Sequence, residues 1–92
     1  MPLLSPTEIA SLLTTCSDWR IEGGELTKSY KFKDFPAALA FVNQVGEQAE
    51  KAGHHPDIDI RYNQVRLALV THDTGGLTIK DFDLAKVIDR LQ

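Results

Sequence analysis

Apolar positions recur at helical spacing in three segments of this chain and at strand spacing in two paired segments, with turn chemistry at the joints. Near the N-terminus Ser5, Pro6 and Glu8 make a capping box with proline at the first helical position, and Leu4 and Ile9 sit where a hydrophobic staple closes. A helix from about Pro6 to Thr15 is expected. Gly23 and Gly24 tolerate the positive φ angles of a two-residue hairpin turn, which pairs Ile21 with Leu26 and Trp19 with Lys28. Trp19, Ile21, Leu26, Tyr30 and Phe32 then share one face, the face expected on the core.

Asp34 caps the longest helix, with Pro36 in its first turn, and Gly53 is its left-handed stop. Phe35, Ala38, Leu39, Val42, Val45, Ala49 and Ala52 supply its apolar stripe, and Gly46 inside it is expected to mark close packing. A second hairpin turns at Asn63 and Gln64, setting Tyr62 against Val65, Ile60 against Leu67 and Ile58 against Leu69. Thr78 caps the last helix with Asp81 completing a second box, and Phe82, Leu84, Ala85, Ile88 and Leu91 form its apolar side. Hairpins rather than crossovers join the strands. The fold class is therefore α+β: a four-stranded antiparallel sheet with three helices packed on one face, in the order αββαββα.

Composition narrows the function classes. A length of 92 residues, with no repeat, linker or low-complexity tract, predicts a single domain over residues 1–92. The net charge of −3 gives no overall pull toward nucleic acid or anionic lipid, so neither direct nucleic-acid binding nor membrane attachment is expected. The lone cysteine, Cys16, makes no internal disulfide, and a reducing, cytoplasmic location is expected.

The candidate chemistry lies in the three histidines. His54 and His55 stand where the long helix ends, and Pro56 starts the strand. Continuing the expected register outward sets His55 opposite His72, close enough for both rings to address one small molecule. Glu50, one helical turn before His54, is placed to hold that imidazole in one tautomer. Histidine both gives and takes protons near neutral pH, so a meeting of the three points to acid-base work. Asp81 is explained already by its capping role.

The segment from Glu50 to Asp81 resembles the signature of the pterin-4a-carbinolamine dehydratases, also known as dimerisation cofactors of a homeodomain transcription factor. An ionisable residue, a His-His-Pro triplet, a Tyr or Trp, a third His and a later Asp match Glu50, His54, His55, Pro56, Tyr62, His72 and Asp81 without a gap. The likeness extends over nearly the whole chain, including the "THDTGGLTIKDFDLA" segment. It implies dehydration of 4a-hydroxytetrahydropterin, the 4a-hydroxytetrahydrobiopterin dehydratase activity of a hydro-lyase. His54, His55 and His72 would be its acid-base and pterin-binding histidines. Glu50 and Asp81 would orient them, and the strand end at Thr71 would offer backbone groups to the pterin edge. The pterin is the substrate, and no metal or organic cofactor is implied. The family also implies a homodimer or homotetramer and a functional link to phenylalanine hydroxylase. Two positions depart from many relatives: Gly53 replaces an acidic residue and Ile58 a tryptophan, so pterin affinity is expected to differ.

Two other readings compete. The same fold serves as a non-catalytic dimerisation or transcriptional coactivator module, or as an assembly chaperone, although such variants tend to lose the histidine set. A three-histidine zinc site is the second, weakened because adjacent His54 and His55 lack the i, i+4 spacing of a helical ligand pair.

Overall fold

The computed structural model describes residues 2–92. Its elements run α1 (Pro6–Leu13), β1 (Arg20–Glu22), β2 (Glu25–Lys31), α2 (Phe35–Ala52), β3 (Asp57–Arg61), β4 (Gln64–Leu69) and α3 (Ile79–Asp89). This is the expected αββαββα order. The strands form one antiparallel sheet in the order β1-β2-β4-β3, so the two hairpins join through the central β2–β4 pair.

Side-chain alternation decides which face is covered. Leu26, Tyr30, Val65, Leu67 and Leu69 are buried beneath the helices together with Phe41, Val45, Phe82 and Ile88. On the opposite face Arg20, Glu22, Ser29 and Arg66 are exposed, and Arg66 pairs with Glu22 at 2.8 Å. The helix ends follow their local chemistry. Both capping boxes form, and Gly53 takes φ +62, the left-handed conformation that any side chain would disfavour.

Several details differ from the expectation: Ile21, expected on the core, is exposed on the edge strand β1. The buried stripe of α2 is Ala38, Phe41, Val45 and Ala49, so the helix is rotated and leaves Phe35 and Leu39 exposed. Gly46 marks no close packing, because a Cβ there would meet nothing within 4 Å. The second hairpin turns at Tyr62 and Asn63, and Ile60 pairs with Val65 and Ile58 with Leu67. Tyr62 accepts φ +52, while Asn63 is fastened to the end of β2: its Nδ2 donates to the Phe32 carbonyl at 2.8 Å and its own carbonyl accepts from Phe32 N at 2.8 Å. Those two bonds hold the turn one residue earlier than the sequence suggested.

Candidate active site

The register shift changes how the histidines meet. Continuing the observed β3–β4 ladder sets His55 across from Val70 rather than His72, and β3 starts only at Asp57. The expected His55–His72 pairing is therefore not formed. The three imidazoles nevertheless border one open cavity of about 190 Å³, lined by Gly53, His54, His55, Val70, Thr71, His72, Asp73 and Lys80. The α2 exit delivers the first two and the loop after β4 delivers the third.

That loop is tightly built. Thr71 N donates to Gly76 O at 3.0 Å, and the Thr71 carbonyl accepts from Thr74, Gly75 and Gly76. The backbone N–H of Thr71 is therefore engaged within the loop, while its side chain faces Asp81 and Thr78. Gly76 lies so close to Leu3 that a Cβ would sit 2.8 Å from Leu3 Cδ2, which fixes the loop against the N-terminal segment.

The carboxylate beside His54 is not the one expected. His54, only 9% exposed, pairs through Nε2 with Oδ1 of the fully buried Asp81 at 2.6 Å. Glu50 instead meets His55 at 2.6 Å, an open pair whose side chains are 79% and 64% exposed. Geometry explains the difference. The left-handed turn at Gly53 directs the chain away from the helix axis after Ala52, so His54 does not continue the helical spacing from Glu50. Asp81 serves α3 twice: as capping-box acid it accepts from Thr78 N at 2.9 Å, and its other oxygen faces His54. The imidazole of His72 is exposed and makes no hydrogen bond or ion pair among the described residues.

His54 and Lys80 also line a second groove, of about 330 Å³, between α2 and α3. It is larger than the histidine cavity, but it holds one histidine against three, so the histidine cavity is the candidate site. Lys80 and Asp73 were not singled out from sequence, and Thr78 only as a helix cap. Only Thr78 carried a signal, the Thr-x-x-Asp spacing, which reads equally well as a plain helix start. Among the described residues, no three His, Cys, Asp or Glu side chains are grouped so as to hold a metal ion. Tyr62, a position of the matched signature, lies at the hairpin turn with 66% exposure and lines no part of the histidine cavity.

Comparison with known proteins identifies the family. The family model described as pterin 4 alpha carbinolamine dehydratase matches residues 2–91. The chain belongs to the pterin-4-alpha-carbinolamine dehydratase family. A protein of Chloroflexus aurantiacus provisionally named pterin-4-alpha-carbinolamine dehydratase is 58% identical over 99% of this chain and 98% of its own. One of Acidobacterium capsulatum, with the same provisional name, is 57% identical over 99% of both chains. Among solved structures, a transcriptional coactivator/pterin dehydratase from Brucella melitensis superimposes with a TM-score of 0.92 at 34% identity, covering 97% of each chain. A pterin dehydratase-like RuBisCO assembly factor of the alpha-carboxysome reaches 0.68 at 25% identity, over 80% of this chain and 88% of that one. Dehydratase relatives thus include proteins named for other roles, and the site chemistry has to choose among them.

Proposed function

We propose that this protein dehydrates 4a-hydroxytetrahydropterin to quinonoid dihydropterin, acting as a hydro-lyase. The reading rests on one observation above others: three imidazoles border a single cavity, and one of them is anchored by a buried carboxylate. The reaction breaks the C4a–O bond. A proton goes to the departing hydroxyl, which leaves as water, and another is taken from a ring nitrogen. His54, His55 and His72 are the groups within the cavity that move protons near neutral pH. Neither a metal nor an organic cofactor has a part in this scheme. In the cell it would restore the pterin spent by an aromatic amino-acid hydroxylase such as phenylalanine hydroxylase. A cytoplasmic location accords with the single cysteine; among the described residues, no helix is long and apolar enough to cross a membrane. We also propose self-association as a homodimer or homotetramer, supported by exposed apolar side chains on α2 and on the edge strand β3.

A non-catalytic role has its own support, because one solved relative is named a coactivator and another an assembly factor. The deciding assay follows decay of 4a-hydroxytetrahydropterin with purified protein. The wild type accelerates it, and His54→Ala and His72→Ala each reduce the rate by about 10²-fold or more, the lower end of general acid-base contributions. Dialysis against a chelator leaves the rate unchanged. No acceleration by the wild type selects the non-catalytic reading. Loss of activity on metal removal restores the zinc alternative.

A further inference from the structure

We infer that the hydroxyls of Thr78 and Thr71 form a one-way hydrogen-bond chain ending on Asp81, which sets the tautomer and proton affinity of His54 and leaves its Nδ1 to exchange protons in the cavity. Donor counting carries the argument. An ionised carboxylate has no proton to give, so the 3.0 Å contact between Thr71 Oγ1 and Asp81 Oδ2 uses the Thr71 hydroxyl proton. With that proton committed, Thr71 Oγ1 only accepts across its 2.8 Å contact with Thr78 Oγ1, so Thr78 donates. The backbone N–H of Thr78 is a second donor to Oδ2 at 2.9 Å. At the other oxygen, His54 Nε2 at 2.6 Å must then carry its proton.

Every link is enclosed. Thr78 and Asp81 are fully buried and Thr71 is nearly so, so water does not compete for these bonds. His54 Nδ1 is different. It has no hydrogen-bond partner among the described residues, and no side-chain nitrogen or oxygen sealed from solvent there lacks one, so Nδ1 is open to the space that His54 borders. The capping box of α3 and the support of a reactive histidine are thus the same set of bonds. Thr71 and Thr78 are positioning residues, acting on His54 through Asp81.

The chain also tunes. Each donor draws charge from the Asp81 carboxylate; remove one and the carboxylate becomes more basic and grips an imidazolium more firmly. Other charged or titratable groups bordering the cavities beside His54 are Lys51 on α2, Lys80 and Asp83 on α3, and His55, His72 and Asp73 on the loop side. All of them persist in a Thr71 variant, so a shift there is not theirs.

The role in turnover rests on the dehydratase reading; the hydrogen-bond chain does not, and the test separates them. Nitrogen-15 histidine spectra of the full chain are recorded across pH without substrate, with His54→Gln assigning the His54 signals. In the wild type the neutral ring carries its proton on Nε2. Thr71→Val, which keeps shape and leaves the Thr78 cap in place, moves the His54 titration midpoint upward by about half a unit or more, roughly a threefold change in proton affinity. Thr71→Ser restores it. In the decay assay Thr71→Val lowers kcat with KM little changed. A neutral ring protonated on Nδ1, or a midpoint unmoved by Thr71→Val, overturns the chain. A wild type that shows the midpoint shift on substitution but no acceleration overturns the dehydratase reading alone.

Discussion

The two histidine–carboxylate pairs have the same 2.6 Å separation but opposite surroundings, and that difference sets their worth. Asp81 is sealed, so replacing it leaves a buried imidazole without its anchor. Asp81→Asn keeps size and a capping acceptor but removes the charge, and we expect kcat to fall by about 10²-fold or more, as for the loss of other histidine-orienting carboxylates. Glu50 and His55 lie in water, where an ion pair is worth at most about 1 kcal/mol, so Glu50→Gln is expected to cost less than about fivefold. Rate measurements on the two variants side by side check this; equal losses would refute the ranking. The candidate residues were legible in sequence because the spacing from Glu50 to Asp81 resembles a known signature. Their pairing was not. Glu50 was assigned to His54 by helical spacing, but Gly53 turns the backbone left-handed before His54 is reached. No local rule shows that an acid twenty-seven residues further along will arrive beside that ring.

At the scale of elements, α3 is fastened to the first hairpin by one carboxylate. Asp89 accepts from Trp19 Nε1 at 3.0 Å, from the Tyr30 hydroxyl at 2.6 Å and from Lys28 Nζ at 2.8 Å. Lys28 Nζ also lies 4.8 Å from the Tyr30 ring centre, a cation–π distance. Burial first, and then the hydrogen bond and charge of Asp89, push the Tyr30 phenol well above its usual range. The sign of the consequence follows from proton counting. Above about pH 10 the unfolded chain releases the Tyr30 proton while the folded protein keeps it, so this stabilisation is complete below that pH and is lost as pH rises through it. We expect the stability advantage of wild type over Tyr30→Phe to be constant from pH 7 to 9 and to shrink toward pH 11. Urea unfolding followed by the single tryptophan, Trp19, measures it; a constant gap throughout would show that Tyr30 is not held in its neutral form. The elements themselves were readable because caps, glycines and periodicity agree. The second hairpin's register was not. Pairing Ile60 with Val65 or with Leu67 keeps the same faces inward, since a two-residue slip preserves alternation, and the decision falls to Asn63 gripping Phe32 on a distant strand.

At the scale of the molecule, the sheet ends in an edge that the helices do not cover. β3 pairs only with β4, its Ile58 remains 38% exposed, and α2 turns Phe35 and Leu39 outward. An exposed strand edge invites pairing, and apolar side chains on a helix surface favour a partner that removes them from water. The rotation of α2 bears on this directly, because residues the sequence placed in the core lie on the surface instead. Phe35 and Leu39 fit the three- and four-residue spacing as well as Ala38 and Val45 do, and only the packed structure shows which row faces inward. If self-association uses the outward row, Leu39→Glu introduces a charge that must be desolvated at the contact. We expect that variant to elute and scatter light as a monomer where the wild type is a dimer or tetramer, with little change in the stability of the isolated fold because Leu39 is already exposed. The histidine cavity is lined by residues between the α2 cap and α3, away from Leu39, so the Leu39→Glu variant is expected to retain activity in the decay assay. Loss of activity together with assembly would mean that a second copy completes the site. An unchanged assembly would exclude Leu39 from the contact and leave the sheet edges, β1 and β3, as the surfaces through which copies meet.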